Sequence, residues 1–226
     1  MKLHSKRLTA ISEAIKKHCT GRVLADIGTD HALLPCYLVD QGIIDLAYAC
    51  DVAVGPLASS KETITSYHLE DQVIPLLGDG LAPIVDHPCD MIAICGMGGI
   101  LMSKILDAHP EIQAQRYCLQ ANTAIDELRH YLMTHDYTII DETMVKDGRH
   151  IYEIIIAKRG HQTLSEEDII FGPVLRLEQS PLFKEKWHRE LETQYRILET
   201  LQPDHEKYDK IVHYKQLIEQ VLNVPD

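Results

Sequence analysis

The sequence predicts an α/β protein: a mainly parallel sheet covered by helices, closed by an antiparallel hairpin and followed by a separate helical pair. Three observations carry this. Short apolar runs alternate with helix-periodic segments from Arg22 to Asp136. Two β-rich segments then follow with no helix between them, and beyond residue 160 the apolar residues fall at helical spacing. Strands that alternate with helices need crossover connections, so they run parallel and their helices cover both faces of the sheet.

The elements follow in chain order. Leu3, Leu8, Ile11 and Ile15 lie at helical spacing and predict a first helix. "RVLADI" reads as the first strand and "HALLPCYLVDQG" as the helix after it, closed by Gly42. "IDLAYACDV" is the second strand, followed by the helix "GPLASSKETITSYH", whose Pro56 is tolerated in the first turn. "QVIPLLGDG" is the third strand and "CDMIAICGMGG" carries the fourth, leading into the helix "ILMSKILDAH". "RYCLQAN" is the fifth strand and "TAIDELRHYLMTHD" the helix behind it. "YTIIDETMVKDG" and "HIYEIIIAKR" form a hairpin around Asp147-Gly148 at the sheet edge. Such an ending is typical of the methyltransferase version of the fold.

A boundary is expected at residue 160, dividing a domain of residues 1–160 from one of residues 161–226. "RGHQTLSEEDIIFGP" reads as a polar linker. Phe183, Trp187, Leu191, Gln194, Leu198 and Leu201 then mark one helix, which Pro203 stops. Tyr208, Ile211, Lys215, Ile218 and Leu222 mark another. Two antiparallel helices paired as a short coiled coil are expected.

Composition narrows the functional classes. No uncharged apolar run reaches the ~18 residues of a membrane span, and the first residues lack the apolar block of a signal peptide. The six cysteines include no C-x-x-C pair, so reduced thiols and a cytoplasmic location are expected. The thirteen histidines show no metal-ligand spacing, and no metal site is expected. A net charge of −12 opposes nucleic-acid binding. The distribution softens that objection, since Lys2, Lys6, Arg7, Lys16, Lys17 and Arg22 precede Asp26 with Glu13 as the single acid. A local basic face or a merely solvated helix would both fit.

Ligands of open α/β sheets bind beyond the carboxyl ends of the strands. Those ends carry Asp26, Gly28 and Asp30, then Asp51 and Val52, then Asp79 and Gly80. Gly96-Met97-Gly98-Gly99 follows the fourth strand, and Gln120 and Asn122 the fifth. Four carboxylates with no interleaved lysine or arginine repel a pyrophosphate. They suit S-adenosylmethionine (SAM), with its sulfonium, ammonium, ribose diol and adenine amine. Asp51 follows Gly28 at the spacing of a ribose-binding acid. Asp79 is placed for the adenine, and Gly28 lets the turn approach the methionine part. Asp30 either takes the ammonium or caps the following helix. Asp79 could equally be a turn residue, "GMGG" a tight strand-to-helix turn, and Gln120 and Asn122 helix caps.

"ADIGTDHALLP", "DVAVGP", "GDGL", "ICGMGG", "QAN", "YEI" and "FGP...SPLFKEKW" together resemble the TrmK family, nearly end to end. The resemblance implies a Rossmann-like class I SAM-dependent methyltransferase with a C-terminal coiled-coil-like domain. It implies methyl transfer to N1 of the adenosine at tRNA position 22. Two positions depart from the family pattern: Leu33 replaces a tyrosine, and Ala121 replaces the proline of "QPN".

On this reading the cofactor residues are Asp26, Gly28, Asp30, His31, Asp51, Val52, Asp79, Gly80 and Gly96. Gly96, Met97, Gly98, Gly99, Gln120 and Asn122 form the catalytic set, with a backbone carbonyl of "GMGG" accepting from the adenine amine. Lys6, Arg7, Lys16 and Lys17 are expected to contact the tRNA, with Arg7 alternatively holding the SAM carboxylate. His31 is structural or ligand-orienting. A monomer is expected. The competing classes are a small-molecule methyltransferase and a non-catalytic SAM- or RNA-binding adaptor.

Overall fold

The computed structural model describes residues 1–223 and divides into two compact units, Met1–Thr163 and Leu164–Asp226. In the first unit, α1 (Lys6–His18) precedes β1 (Val23–Ile27), α2 (Leu33–Asp40), β2 (Leu46–Asp51), α3 (Val54–Ser66) and β3 (Val73–Leu77). β4 (Met91–Gly98), α4 (Gly99–Ala108), β5 (Arg116–Thr123), α5 (Ile125–Thr134), β6 (Tyr137–Asp147) and β7 (His150–Arg159) complete it. The strands form one seven-stranded sheet in the order β3-β2-β1-β4-β5-β7-β6.

β1 to β5 are parallel, and β7 pairs antiparallel with both β5 and β6. The chain steps outward from β1 through β2 to β3, then returns to β4 on the other side. Right-handed crossovers therefore place α2 and α3 on one face and α4 on the other. The hairpin closes through Gly148 and Arg149, with Asp147 opposite His150 and Gly148 at φ 60, as a two-residue turn requires. Because β7 runs against β5, the β6–β7 turn rises at the carboxyl edge of the parallel strands.

The core explains the strand sequences. Leu24, Ala25, Met91, Ile92, Ala93, Ile94, Cys118 and Leu119 are all fully buried, as a sheet covered on both faces demands. α1 buries Ile11 and Ile15 of the expected stripe together with Ala14, while Leu8 is half-buried and Leu3 precedes the helix; Ser5 is the N-cap, its hydroxyl accepting from Leu8 N. A buried ion cluster lies within the core. Arg129 of α5 is fully buried and donates to Glu142 of β6 at 2.8 Å and to Glu153 of β7 at 2.5 Å.

The sequence "RGHQTLSEEDIIFGP", which runs from the end of β7 into the second unit, is more ordered than its polarity suggests. It contains α6 (Glu166–Phe171), held by a capping box in which Ser165 Oγ accepts from Asp168 N and the Asp168 carboxylate accepts from Ser165 N. A linker expectation is corrected there: the S-x-x-D signal outweighs local polarity, and Phe171 buries its ring. A short α7 (Leu175–Glu178) leads to α8 (Pro181–Thr200) and α9 (Tyr208–Leu222). Ser180 caps α8 by accepting from Phe183 N, with Pro181 in the first turn. Phe183, Trp187 and Gln194 are the buried residues of α8, and Leu217, Ile218 and Val221 those of α9. The Phe171 and Trp187 rings meet edge to face at 4.6 Å.

Candidate functional site

The carboxyl edge of the sheet opens with the turn after β1. Gly28 N and Thr29 N both donate to Cys50 O, at 2.8 and 2.9 Å, which binds the end of β1 to the end of β2. Gly28 has φ 77, and a Cβ there would sit 2.0 Å from Met97 Cε. The positive φ favours glycine there, while the Met97 methyl is the end of a flexible side chain that can move aside. The chain next passes through His31 at φ 60 and Ala32 at φ 50 before α2 begins. Ala32 is the N-cap, without a side-chain cap, so Asp30 does not cap this helix. The capping reading of Asp30 is corrected: two left-handed residues separate it from the first turn. It remains exposed, 3.3 Å from His31 Nε2.

Asp26 is buried beneath this turn. Burial pushes its carboxyl up to about 6, and the neighbouring Asp51 adds to the rise while the Thr29 hydroxyl opposes it. Asp51 ends β2, half-buried, and accepts from Ala53 N through one oxygen at 2.8 Å. Val52 beside it is 66% exposed. Asp79 has an exposed side chain while its carbonyl accepts from Ala82 N at 3.0 Å. It thus starts a turn and still offers its carboxylate to the rim. Gly80 supplies the turn with φ 53.

The next strand ends are uncharged and tightly bonded. "GMGG" is the tight strand-to-helix transition that one reading expects, with β4 running to Gly98 and α4 beginning at Gly99. β4 is paired Met97 to Ala121 and Gly98 to Thr123, with an irregularity that leaves Gly96 unpaired at φ 81. Gly99 opens α4 and is buried, and a Cβ there would lie 2.0 Å from Ala124 O. This close approach of two helix starts accounts for that glycine without a ligand. α5 likewise has a left-handed Ala124 as N-cap and no side-chain cap, so Gln120 and Asn122 do not cap it. They serve a different network.

Asn122 Nδ2 donates to Gly96 O at 2.7 Å, and Gln120 Nε2 donates to Asn122 Oδ1 at 3.1 Å. Arg7 Nη1 donates to Gln120 Oε1 at 2.9 Å and to Asn122 Oδ1 at 3.5 Å. The guanidinium also lies 5.3 Å from the centre of the Tyr152 ring. Gln120 is fully buried, while Asn122 is exposed at the mouth. Arg7 thus orients both amides, and Gly96 O already has one donor.

The four basic residues expected at an RNA surface separate. Lys6 and Arg7 lie at the site end of α1. Lys16 and Lys17 lie ~15 Å further along the helix at its 1.5 Å rise, and Lys17 pairs with Asp141 at 2.6 Å. Lys146, Arg149 and His150 carry no signal in the sequence that marks them for this site, and Tyr152 is marked by the "YEI" motif alone. The pairing of β7 with β5 brings them to this edge, and nothing local announces that pairing. Leu33, the departure from a tyrosine, is 38% exposed at the start of α2. Among the described residues no group of three or more His, Cys, Asp or Glu side chains is arranged to hold a metal ion. Among them, too, no helix is long and apolar enough to cross a membrane.

Comparison with known proteins agrees on one assignment. The family model described as TrmK, tRNA (adenine(22)-N(1))-methyltransferase, matches residues 24–223. The tRNA (adenine(22)-N(1))-methyltransferase of Bacillus subtilis (strain 168) is 31% identical over 97% of this chain and 97% of its own. A Streptococcus pneumoniae structure in complex with S-adenosyl-L-methionine is 33% identical with a TM-score of 0.88, covering 98% of this chain and 100% of that one. TrmK of M. capricolum, in complex with the cofactor product S-adenosyl-homocysteine, is 28% identical with a TM-score of 0.86, covering 98% and 99%.

Proposed function

Since the chain belongs to the TrmK family of tRNA (adenine(22)-N(1))-methyltransferases, we infer that its strand-end site binds SAM and methylates N1 of adenosine 22 in a tRNA. The observation that supports this best is the acid half of the carboxyl edge, where Asp26 near the end of β1, Asp51 at the end of β2 and Asp79 just beyond β3 lie on three adjacent strands. Such an edge fits a cationic ligand rich in donors.

Bound there, SAM supplies an electrophilic methyl group on a sulfonium. We assign Asp51 to the ribose hydroxyls, using the carboxylate oxygen that Ala53 N does not occupy. Val52, Asp79 and Gly80 flank the adenine. Gly28, Asp30, His31 and Gly96 surround the methionine part, above the buried Asp26. The N1 lone pair is available at neutral pH, so no side chain of this protein has to remove a proton before attack. The work of the chain is positioning, which can supply ~7–11 kcal/mol. Gly98 leaves room for a flat base, Met97 supplies a side chain to stack on it, and Asn122 at the mouth is set by Arg7 to meet its edge. Gly96 O keeps a second lone pair for the adenine amine. Gln120 and Gly99 are positioning residues by this geometry.

We assign residues 1–160 to the SAM-binding and catalytic domain and residues 161–226 to the helical domain, and place the protein in the cytoplasm as a monomer. Six free cysteines suit a reducing compartment.

The decisive experiment offers labelled SAM with an unmodified tRNA carrying adenosine at position 22, beside the same tRNA with guanosine there. Methyl transfer to the first alone, mapped to N1, is expected. Transfer to neither rejects the reading. Light scattering in solution tests the monomer.

A further inference from the structure

The carboxyl edge of the sheet changes sign across its width. Asp79 and Asp30 follow β3 and β1, Asp51 ends β2, and Asp26 lies buried near the end of β1. β4 and β5 contribute the uncharged "GMGG" and the amides of Gln120 and Asn122. Beyond them, at the β7 and β6 end, stand Lys146, Arg149 and His150 on the hairpin turn. The start of α1 joins them there. Ser5 Oγ donates to Asp147 Oδ2 at 2.8 Å, and Arg7 N donates to the same oxygen at 3.1 Å.

This junction gathers cations from two distant segments. Residues 1–12 contain Lys2, His4, Lys6 and Arg7 and no acid. Residues 144–152 contain Lys146, Arg149 and His150, with Asp147 as the only acid. Asp147 is spent on the junction itself: the Ser5 hydroxyl, the Arg7 and Lys6 peptide N–H groups and the Lys6 charge hold its carboxyl below its ordinary range. Lys2, His4, Lys6, Arg149 and His150 are exposed. The chain as a whole carries −12, so this half of the edge runs against the charge of the molecule.

We propose that the start of α1 and the β6–β7 turn together form the surface that receives the phosphate backbone of the tRNA beside the target adenosine. The proposal rests on the function assigned above and names the partner surface of that same site. The two ligands differ in sign: the cationic methyl donor fits the acid half, and a polyanion fits the basic half. The uncharged β4–β5 ends lie between them, where the extruded base must meet the methyl group. Unstacking that base is unfavourable, and phosphate interactions next to the site are placed to offset it. Arg7 spans the boundary, with its peptide N–H on Asp147 and its guanidinium on Gln120 and Asn122.

The test uses the full chain and an unmodified tRNA transcript containing adenosine 22, with binding measured by fluorescence anisotropy at several salt concentrations. Lys6→Glu and Arg149→Glu, singly and together, are compared with Lys158→Glu, an exposed position at the opposite end of β7. SAM affinity and thermal midpoint are measured on each protein. The double variant is expected to weaken tRNA binding at least tenfold, with SAM affinity unchanged. The slope of log affinity against log salt is expected to fall by ~0.7–0.9 for each phosphate that is no longer neutralised. Lys158→Glu is expected to bind as the parent does. Unchanged affinity and slope in the double variant overturn the proposal, as does an equal loss in Lys158→Glu. Methylation assayed in parallel separates the two readings. If the parent binds tRNA through these residues yet transfers no methyl group, the surface stands and the assigned activity falls.

Discussion

Arg7 on α1 donates to the buried Oε1 of Gln120 at 2.9 Å across 113 positions of sequence, so the first helix fixes the orientation of an amide at the end of β5. The same guanidinium reaches Asn122, which in turn holds the carbonyl of Gly96. Three segments are thereby locked into one polar cluster.

Removing that guanidinium leaves the Gln120 carbonyl without its charged donor in a closed environment, at a cost of ~1–3 kcal/mol. Arg7→Ala is expected to lower kcat for methyl transfer about 10- to 100-fold. Arg7→Lys should lose less, since an ammonium can still reach one amide. Initial rates at saturating SAM and tRNA decide this. Equal rates for Arg7→Ala and the parent would show that the cluster does not organise the site.

Asp51 ends β2 with one oxygen on Ala53 N. Asp51→Asn keeps an acceptor for that peptide and removes the charge from the rim. A hydrogen bond to a charged group contributes ~1.5–3 kcal/mol, so SAM should bind about 10- to 100-fold more weakly by calorimetry. The unliganded thermal midpoint should stay near that of the parent. An unchanged SAM affinity would remove Asp51 from the cofactor site.

Asp26 makes stability depend on pH in a direction opposite to an ion-paired carboxylate. Its pKa is raised in the folded protein from 3.8 to about 6. The stability it contributes is present below the unfolded value and is lost as pH rises from about 4 through about 6. Asp26→Asn abolishes that loss, worth up to about 3 kcal/mol at neutral pH. The gap between variant and parent in urea unfolding should therefore widen from pH 4 to pH 7. A gap that does not change over this range contradicts the burial argument.

The buried Arg129 holds Glu142 and Glu153 together, with both carboxylates almost wholly inaccessible. Arg129→Met strands two acids in the core, and breaking such a group costs ~3–5 kcal/mol. Urea midpoints should fall accordingly. Adding Glu142→Gln and Glu153→Gln should recover part of the loss, because the uncompensated charges are then gone. Failure of the triple variant to recover any stability would place the cost in packing instead.

The fold is legible in the sequence because its signals are local. Apolar runs such as "RVLADI" and "MIAIC" alternate with helical spacing, and Gly148 marks the hairpin. The acid rim is legible too, since strand ends are short stretches whose positions follow from that alternation. The capping assignments fail at Asp30, Gln120 and Asn122 for one reason: α2 and α5 both begin from alanines in a left-handed conformation, which sequence does not advertise. The ordered α6 hides within a polar stretch although Ser165 and Asp168 carry its capping signal. The partnership of Arg7 with Gln120, and the arrival of Arg149 beside Lys6, lie beyond the reach of sequence, because each depends on where β7 inserts in the sheet.

That insertion also sets a schedule for synthesis. α1 is held by Asp147, and the bond from Ser5 to that residue spans 142 positions. Its other neighbours include β5, β6 and β7. A nascent chain therefore leaves the ribosome with its opening helix held by α2 and β5 alone until the closing hairpin has emerged. Such distant pairings slow folding and expose apolar surface in the interval. A truncation that removes the hairpin would strip α1 of Asp147 and of its β6 and β7 packing, and so loosen the guanidinium that orders the reaction centre.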